Sequence, residues 1–283
     1  MQHFPSLKFL LCCLGSLLIV WIEIGACMFA QEPGVILASS SKVTSSNQPA
    51  VSRWPFELCE GQFHIHSTVP TAKLAQHLPK LCTLPNEMNL SLAISIAEQP
   101  VHLVVLESRE MLDTYVKRLL PNAPNRRALY IRHRGPGLVL TYYNPAWLTD
   151  ARHECTHALL DSSGVRGPQW LDEGLAEYFE TANFSPLEHS THRASVQNQI
   201  RFGQVADLEQ LERMDSNSTM TAKDYRDAWS VTAFLLNSSM QTKNSFQAYL
   251  SDIQSERAAG LLSHRLQPVV HSFRDEYIRF FTR

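Results

Sequence analysis

The sequence predicts an α+β protein, with an N-terminal mixed sheet and its helices packed on a mostly α-helical C-terminal half. Three observations carry this. Short β-branched or alternating apolar runs cluster between residues 62 and 143, strand patterns stop after Asn144, and helical spacing then continues to the C-terminus. The chain has 283 residues, of which 44% are hydrophobic, so wholesale disorder is excluded. Its 25 basic and 27 acidic side chains nearly cancel. That balance leaves no electrostatic footprint for nucleic acid or for an anionic membrane.

Residues 1–30 read as a signal peptide or membrane anchor. Phe9 to Ile22 is uncharged and mostly apolar behind Lys8, Glu23 interrupts, and Ile24 to Ala30 is apolar again. A short apolar core behind a weakly positive start is an export pattern, and Met28-Phe29-Ala30 ends on a small residue suited to cleavage. Ile24-Gly25-Ala26-Cys27 is similar to a lipoprotein box, although Glu23 stands where that box has an apolar residue. Left uncut, residues 9–30 reach the ~20 needed to span a bilayer and would tether the chain. The expected location is the cell envelope, the periplasm or the exterior. Gln31 to Arg53 is rich in Ser, Thr, Pro and Gln and reads as a flexible linker. The folded domain is then 54–283, divided into an α/β part (54–144) and a helical part (145–283).

Within the first part, Gln62 to Thr68 alternates as a strand does, and Thr71 to Leu81 reads as a helix. Val101 to Leu106 is a β-branched strand. Ser108 to Leu120 is helical by the spacing of Met111, Leu112, Tyr115 and Leu119. Ala128 to Arg132 and Leu138 to Tyr143 are strands parted by the turn Arg134-Gly135-Pro136-Gly137. Asn144 and Pro145 supply a cap and first turn for the helix that follows. Pro268 to Phe281 is amphipathic and reads as a docked C-terminal helix. Cys59 and Cys82 could pair in an oxidising compartment, while Cys155 is expected to be packed. His64 and His66 share one face of their strand and read as surface or sheet-packing residues.

The chemistry concentrates in His153-Glu154-Cys155-Thr156-His157. Leu148, Ala151, Cys155, Ala158 and Leu159 give it an apolar stripe, hence a helix, and residues four apart on a helix share a face. Both imidazoles can therefore reach one ion. Zinc prefers four ligands and leaves one position for water in a catalytic site, so a third protein ligand is required. Asp161-Ser162-Ser163-Gly164 ends the helix, Gly167-Pro168 turns the chain, and a second helix opens at Trp170. An antiparallel return brings Glu173 opposite His153 and His157. Glu177, one turn on, could accept the remaining N–H of a ligand histidine. Glu180 reads as a solvated helix residue, and His189 and His192 follow Pro186 in a loop that could line the cleft.

His153-Glu154-x-x-His157 followed by Trp170-Leu171-Asp172-Glu173-Gly174 resembles the gluzincin metallopeptidases of thermolysin and aminopeptidase N type. It is similar in particular to the peptidase-MA-like proteins of bacterial envelopes. The resemblance covers Phe56 to Leu250 and is strongest over 153–180. It implies a zincin-like fold and one Zn2+ per chain, held by His153, His157 and Glu173. It further implies Glu154 as general base, Glu177 as a carboxylate behind the ligands, and a peptide or protein substrate. Tyr225, in Asp224-Tyr225-Arg226-Asp227-Ala228-Trp229, matches the tyrosine that stabilises the oxyanion in aminopeptidase-like members. Trp229, Ala233 and Leu236 equally make it a core aromatic.

The chain departs from the family pattern twice. Only 15 residues separate His157 from Glu173, somewhat fewer than in thermolysin or aminopeptidase N, which implies a tighter connection. No Gly-Ala-Met-Glu-Asn segment precedes His153 to hold a free amino terminus, which favours an endopeptidase over an aminopeptidase. Two other readings fit the same residues. One is a catalytically inactive zinc domain that binds peptide or envelope partners. The other is a zinc hydrolase of a non-peptide amide or ester.

Overall fold

Among the described residues five strands make one sheet: β1 (Phe56–Glu60), β2 (Phe63–Ser67), β3 (Val101–Leu106), β4 (Ala128–Ile131) and β5 (Gly137–Tyr142), in the order β1-β2-β3-β5-β4. The two outer pairs are antiparallel and the inner pairs parallel, so the expected mixed sheet is present. The computed structural model describes residues 54–123, 125–132, 136–181, 187, 191–215 and 218–283. The expected signal (1–30) and linker (31–53), Arg134 and Gly135 of the turn, and His189 lie outside the described residues. β1 escaped the sequence reading because it is an edge strand with no fully buried residue, so its apolar alternation is faint.

One face of the sheet buries Phe63, Ile65, Val101, Leu103, Val105 and Val139 in the main core. On the other, Val104, Leu106 and Leu140 meet Leu112 of α4 (Arg109–Leu119), whose N-cap Ser108 accepts from the Met111 amide at 3.3 Å.

The helix expected over Thr71–Leu81 is two short ones, α1 (Thr71–Leu74) and α2 (Leu78–Cys82). Pro79 is the reason: it has no N–H, and its ring would meet the carbonyl four residues back, so the helix must restart with proline in its first turn. A third helix, α3 (Leu84–Leu92), was not anticipated, although Leu84, Met88 and Leu92 are buried at helical spacing.

After Asn144 the described elements are all helical: α5 (Trp147–Ser162), α6 (Gln169–Phe179), α7 (His192–Arg201), α8 (Leu208–Glu212), α9 (Ala222–Asn237), α10 (Met240–Gln254), α11 (Leu262–Leu266) and α12 (Phe273–Thr282). α5 starts later than the expected cap. Asn144 Oδ1 accepts from the Ala146 amide at 2.8 Å, a local turn that delays the helix to Trp147. The C-terminal helix is docked as expected, through buried Tyr277 and Phe281. Among the described residues no helix is long and apolar enough to cross a membrane.

Cys59 and Cys82 are separate thiols. Leu58 packs against the main core, so its neighbour Cys59 points from the opposite face of β1, whereas Cys82 Sγ lies 3.7 Å from the Glu60 carbonyl. Cys155 is fully buried, as expected.

Candidate metal centre

The site is built on α5, which packs on β4 and β5 on one side and on α6 on the other. It is buried nearly all round, including the polar residues Arg152, His153, Glu154, Thr156 and His157. Polar groups so placed need partners.

The turn after α5 is set by Gly164, at φ +75°. Its amide donates to the Asp161 carbonyl and the Val165 amide to the Leu160 carbonyl, which closes the helix and reverses the chain towards α6. Gly174 then lets α6 approach α9. A Cβ at this position would lie 2.6 Å from Thr232 Oγ1 and 2.7 Å from the Ala228 carbonyl oxygen.

This packing brings three predicted ligands together. Glu173 Oε2 lies 3.4 Å from His153 Nε2 and 3.7 Å from His157 Nε2. One ligand atom from each residue falls within 4.8 Å of the others. Exposure is 1% for His153, 2% for His157 and 0% for Glu173. His153 Nε2 and both Glu173 oxygens are buried and make no hydrogen bond. Each buried polar atom left so costs about 1–3 kcal/mol. Two imidazole nitrogens and a carboxylate converging in such a place fit a metal ion, which would take up all of these lone pairs.

The outer nitrogens are held from behind. His153 Nδ1–H donates to Glu180 Oε2 at 3.2 Å, and His157 Nδ1 lies 3.3 Å from Asp172 Oδ2. In the neutral, ligating form the Glu180 bond puts the His153 proton on Nδ1 and leaves the lone pair on the inward Nε2, while the Asp172 carboxylate, which faces His157 Nδ1 without completing a hydrogen bond, favours the same tautomer there. The hydrogen bond expected of Glu177 is thus made by Glu180, which is a member of the site and not a solvated helix residue. Glu177 Oε2 accepts instead from His192 Nε2 at 2.8 Å, although Glu177 still lies beside His153. His192 is buried at the start of α7 and not in a loop.

The electrostatics follow the geometry. Burial opposes the charged form of His153, but the carboxylates of Glu173, Glu180, Glu177 and Glu154 together hold its pKa well above the ordinary histidine value. His157 is raised in the same way, against burial, by Asp172 and Glu173. Burial pushes Glu173 up despite both histidines. Burial and the charge of Glu177 push Glu180 up to about 7, with His153 opposing.

Glu154 is 4% exposed, and its Oε2 accepts from the Tyr130 amide of β4 at 2.7 Å. Tyr225, near the start of α9, is 5% exposed with a hydroxyl that makes no hydrogen bond. Burial raises its pKa strongly, and Glu173, Glu177 and Glu154 add to the effect against Arg126. The hydroxyl therefore lies in the field of the same cluster. Arg126 lies there too: burial lowers its pKa, while Tyr225, Glu154 and Glu173 counteract that.

Sequence reasoning missed Asp172, Glu180 and Arg126. The first two were legible, since Asp172 precedes the third ligand and Glu180 follows it by two helical turns. Arg126 lies outside any periodic element and gave no signal.

Residues 148–257 match a family described as a protein of unknown function (DUF1570). That stretch runs from the second residue of α5 through α10, and so holds every residue of the cluster except Arg126, but leaves out the sheet. No curated protein matches the chain.

Proposed function

We propose that this chain is a zinc-dependent hydrolase of gluzincin type that cuts peptide bonds, an endopeptidase more than an aminopeptidase. The observation that carries the reading is the buried convergence of His153, His157 and Glu173, with hydrogen bonds left unmade, next to the carboxylate of Glu154. A zincin-like fold is part of the proposal: an HExxH helix lies between a mixed sheet and a helix that returns the third ligand. Action outside the cytoplasm, with or without a tether through residues 9–30, is a further part and rests on the export pattern of the first 30 residues.

Zinc held by these three residues supplies Lewis acidity and lowers the pKa of water to about 7. Glu154, with Oε2 anchored on the Tyr130 amide, takes the proton of the water that attacks the scissile carbonyl. It then passes this proton to the departing amine. Tyr225 donates its hydroxyl to the carbonyl oxygen as negative charge grows there, and its raised pKa keeps that proton in place. Arg126 adds positive charge to the same field. Glu180 keeps the His153 imidazole in the ligating tautomer, and the charge of Asp172 favours the same form of His157.

The test is to measure bound zinc and hydrolysis of a mixed peptide library with the purified full-length chain, beside Glu154→Gln. We expect zinc in both and a loss of hydrolysis of about 100-fold or more in the variant. A folded wild-type chain without affinity for zinc overturns the proposal. Zinc without hydrolysis of any peptide, ester or amide would favour the inactive binding domain.

A further inference from the structure

A second group of ligand-type side chains stands on the sheet, apart from the buried cluster. Cys59 of β1 pairs in register with His64 of β2, and His64 pairs with His102 of β3. Residues directly across neighbouring strands project from the same face, and strands are about 4.8 Å apart. One row thus sets a thiol and two imidazoles side by side across three strands. The face is the one turned away from the main core: Leu58, Phe63, Ile65, Val101 and Leu103 pack inward, so alternation sends Cys59, His64 and His102 outward. α4 covers Val104, Leu106 and Leu140 on that face, and the row lies at its open end. Cys59 is exposed and both histidines are partly so, which lets an ion arrive without opening the fold.

His102 is already oriented. Its Nδ1 lies 2.9 Å from His66 Nε2, and the two rings are inclined by only 10° with centroids 5.2 Å apart. His66 Nδ1 in turn lies 3.1 Å from Glu57 Oε1. A carboxylate only accepts, so the proton sits on His66 Nδ1 and the lone pair on His66 Nε2. His102 must then donate from Nδ1, which leaves the lone pair of its Nε2 for another partner. Metal-binding histidines are held by a hydrogen bond from the non-ligating N–H to a fixed acceptor, and His66 Nε2, itself oriented by Glu57, is such an acceptor for His102. The His64 ring stands edge-on to His102, with centroids 5.2 Å apart.

We propose that Cys59, His64 and His102 form a surface site for a borderline-soft divalent metal such as zinc or cobalt, with His66 and Glu57 orienting His102. One thiolate and two imidazoles suit such ions better than calcium or magnesium, and water completes the four-coordinate shell. Binding requires the thiol and the His64 ring to rotate towards His102 Nε2 and displaces one proton from Cys59. The register sets the three residues one strand apart, and their ligand atoms come within 4.8 Å of one another only after that rotation.

Cobalt is the probe, because thiolate ligation gives a near-ultraviolet charge-transfer band that imidazole and carboxylate do not. Cobalt is titrated into the metal-free full-length wild type, Glu173→Ala, Cys59→Ser and Glu57→Gln, and ions per chain are counted by mass spectrometry. We expect two ions per chain in the wild type and one in Glu173→Ala, with the band intact. Cys59→Ser should lose the band and one ion, and Glu57→Gln should weaken that ion by about 10-fold or more. A wild type with no thiolate band, or a band that survives Cys59→Ser, overturns the site. So does a single ion that vanishes with Glu173→Ala. A band and stoichiometry unchanged by Glu173→Ala would instead count against the buried centre and leave the surface site standing.

Discussion

Glu180 holds the Nδ1 of His153 at 3.2 Å from the very end of α6, three residues beyond the carboxylate that sequence spacing singled out. Glu177, nearer the third ligand, is drawn off by His192 at 2.8 Å. The last turn of α6 thus carries two carboxylates with separate duties. One fixes a metal-ligating ring, and the other ties α6 to the start of α7.

From that division, Glu180→Gln should lower metal affinity by about 10–100-fold, because an amide oxygen still accepts the hydrogen bond but loses the charge that makes the imidazole more basic. Glu177→Gln should change affinity by much less. Competition with a chromophoric chelator measures both. Equal losses in the two variants would show that His153 answers to their summed charge and not to the bond from Glu180.

The ligand set was legible because it depends only on helical periodicity. His153 and His157 share a face, and one short connection returns Glu173 to them. The β3 and β5 strands were legible for the same kind of reason, each having a buried stripe of its own, and the α4 helix by an apolar spacing of which Leu112 is buried, Tyr115 and Leu119 are half-buried and Met111 is exposed. What stayed hidden depends on contacts between elements. Whether Glu177 or Glu180 meets His153 is decided by where His192 docks, and His192 lies on another helix. Arg126 enters the site from the segment before β4, where no periodicity exists to read. β1 and the break at Pro79 show the remaining limits: an edge strand has little to bury, and a proline can restart a helix as well as begin one.

Gly174 should not tolerate a methyl group. In Gly174→Ala the new Cβ would meet the Ala228 carbonyl oxygen at 2.7 Å, and backbone of α9 cannot turn aside as a side chain can. Overpacking of this kind costs about 1–3 kcal/mol. Urea unfolding should show a lower midpoint with an unchanged slope, and metal affinity should fall as Glu173 shifts with α6. A variant of wild-type stability would mean that the two helices separate freely.

Arg152 is fully buried beside the ligand His153. It donates from Nη2 to Glu87 Oε2 at 2.6 Å and from Nε to the Phe179 carbonyl at 2.9 Å. It therefore joins α3 to the end of α6, next to Glu180. Arg152→Ala would strand the Glu87 carboxylate in the core, at a cost of about 3–5 kcal/mol. Replacing the pair together, as Arg152→Met with Glu87→Leu, should recover a large part of that loss by removing both charges. Chemical denaturation of both variants beside the wild type checks this, and a double variant as unstable as Arg152→Ala would place the stabilisation in the carbonyl contacts alone.

Tyr225→Phe separates the two roles open to this residue. The ring is buried, and the hydroxyl makes no hydrogen bond within the folded chain. Taking the oxygen away should therefore leave the thermal midpoint unchanged or raise it, because an unsatisfied buried polar atom disappears. Bound zinc should also be unaffected, since the ligands are untouched. If the hydroxyl donates to the developing oxyanion, kcat on a cleaved peptide should fall by about 10²–10³. Loss of rate with full metal content and full stability assigns the tyrosine to the reaction. A variant as fast as wild type would make Tyr225 a packing residue of α9, and the oxyanion would then depend on the metal and on Arg126.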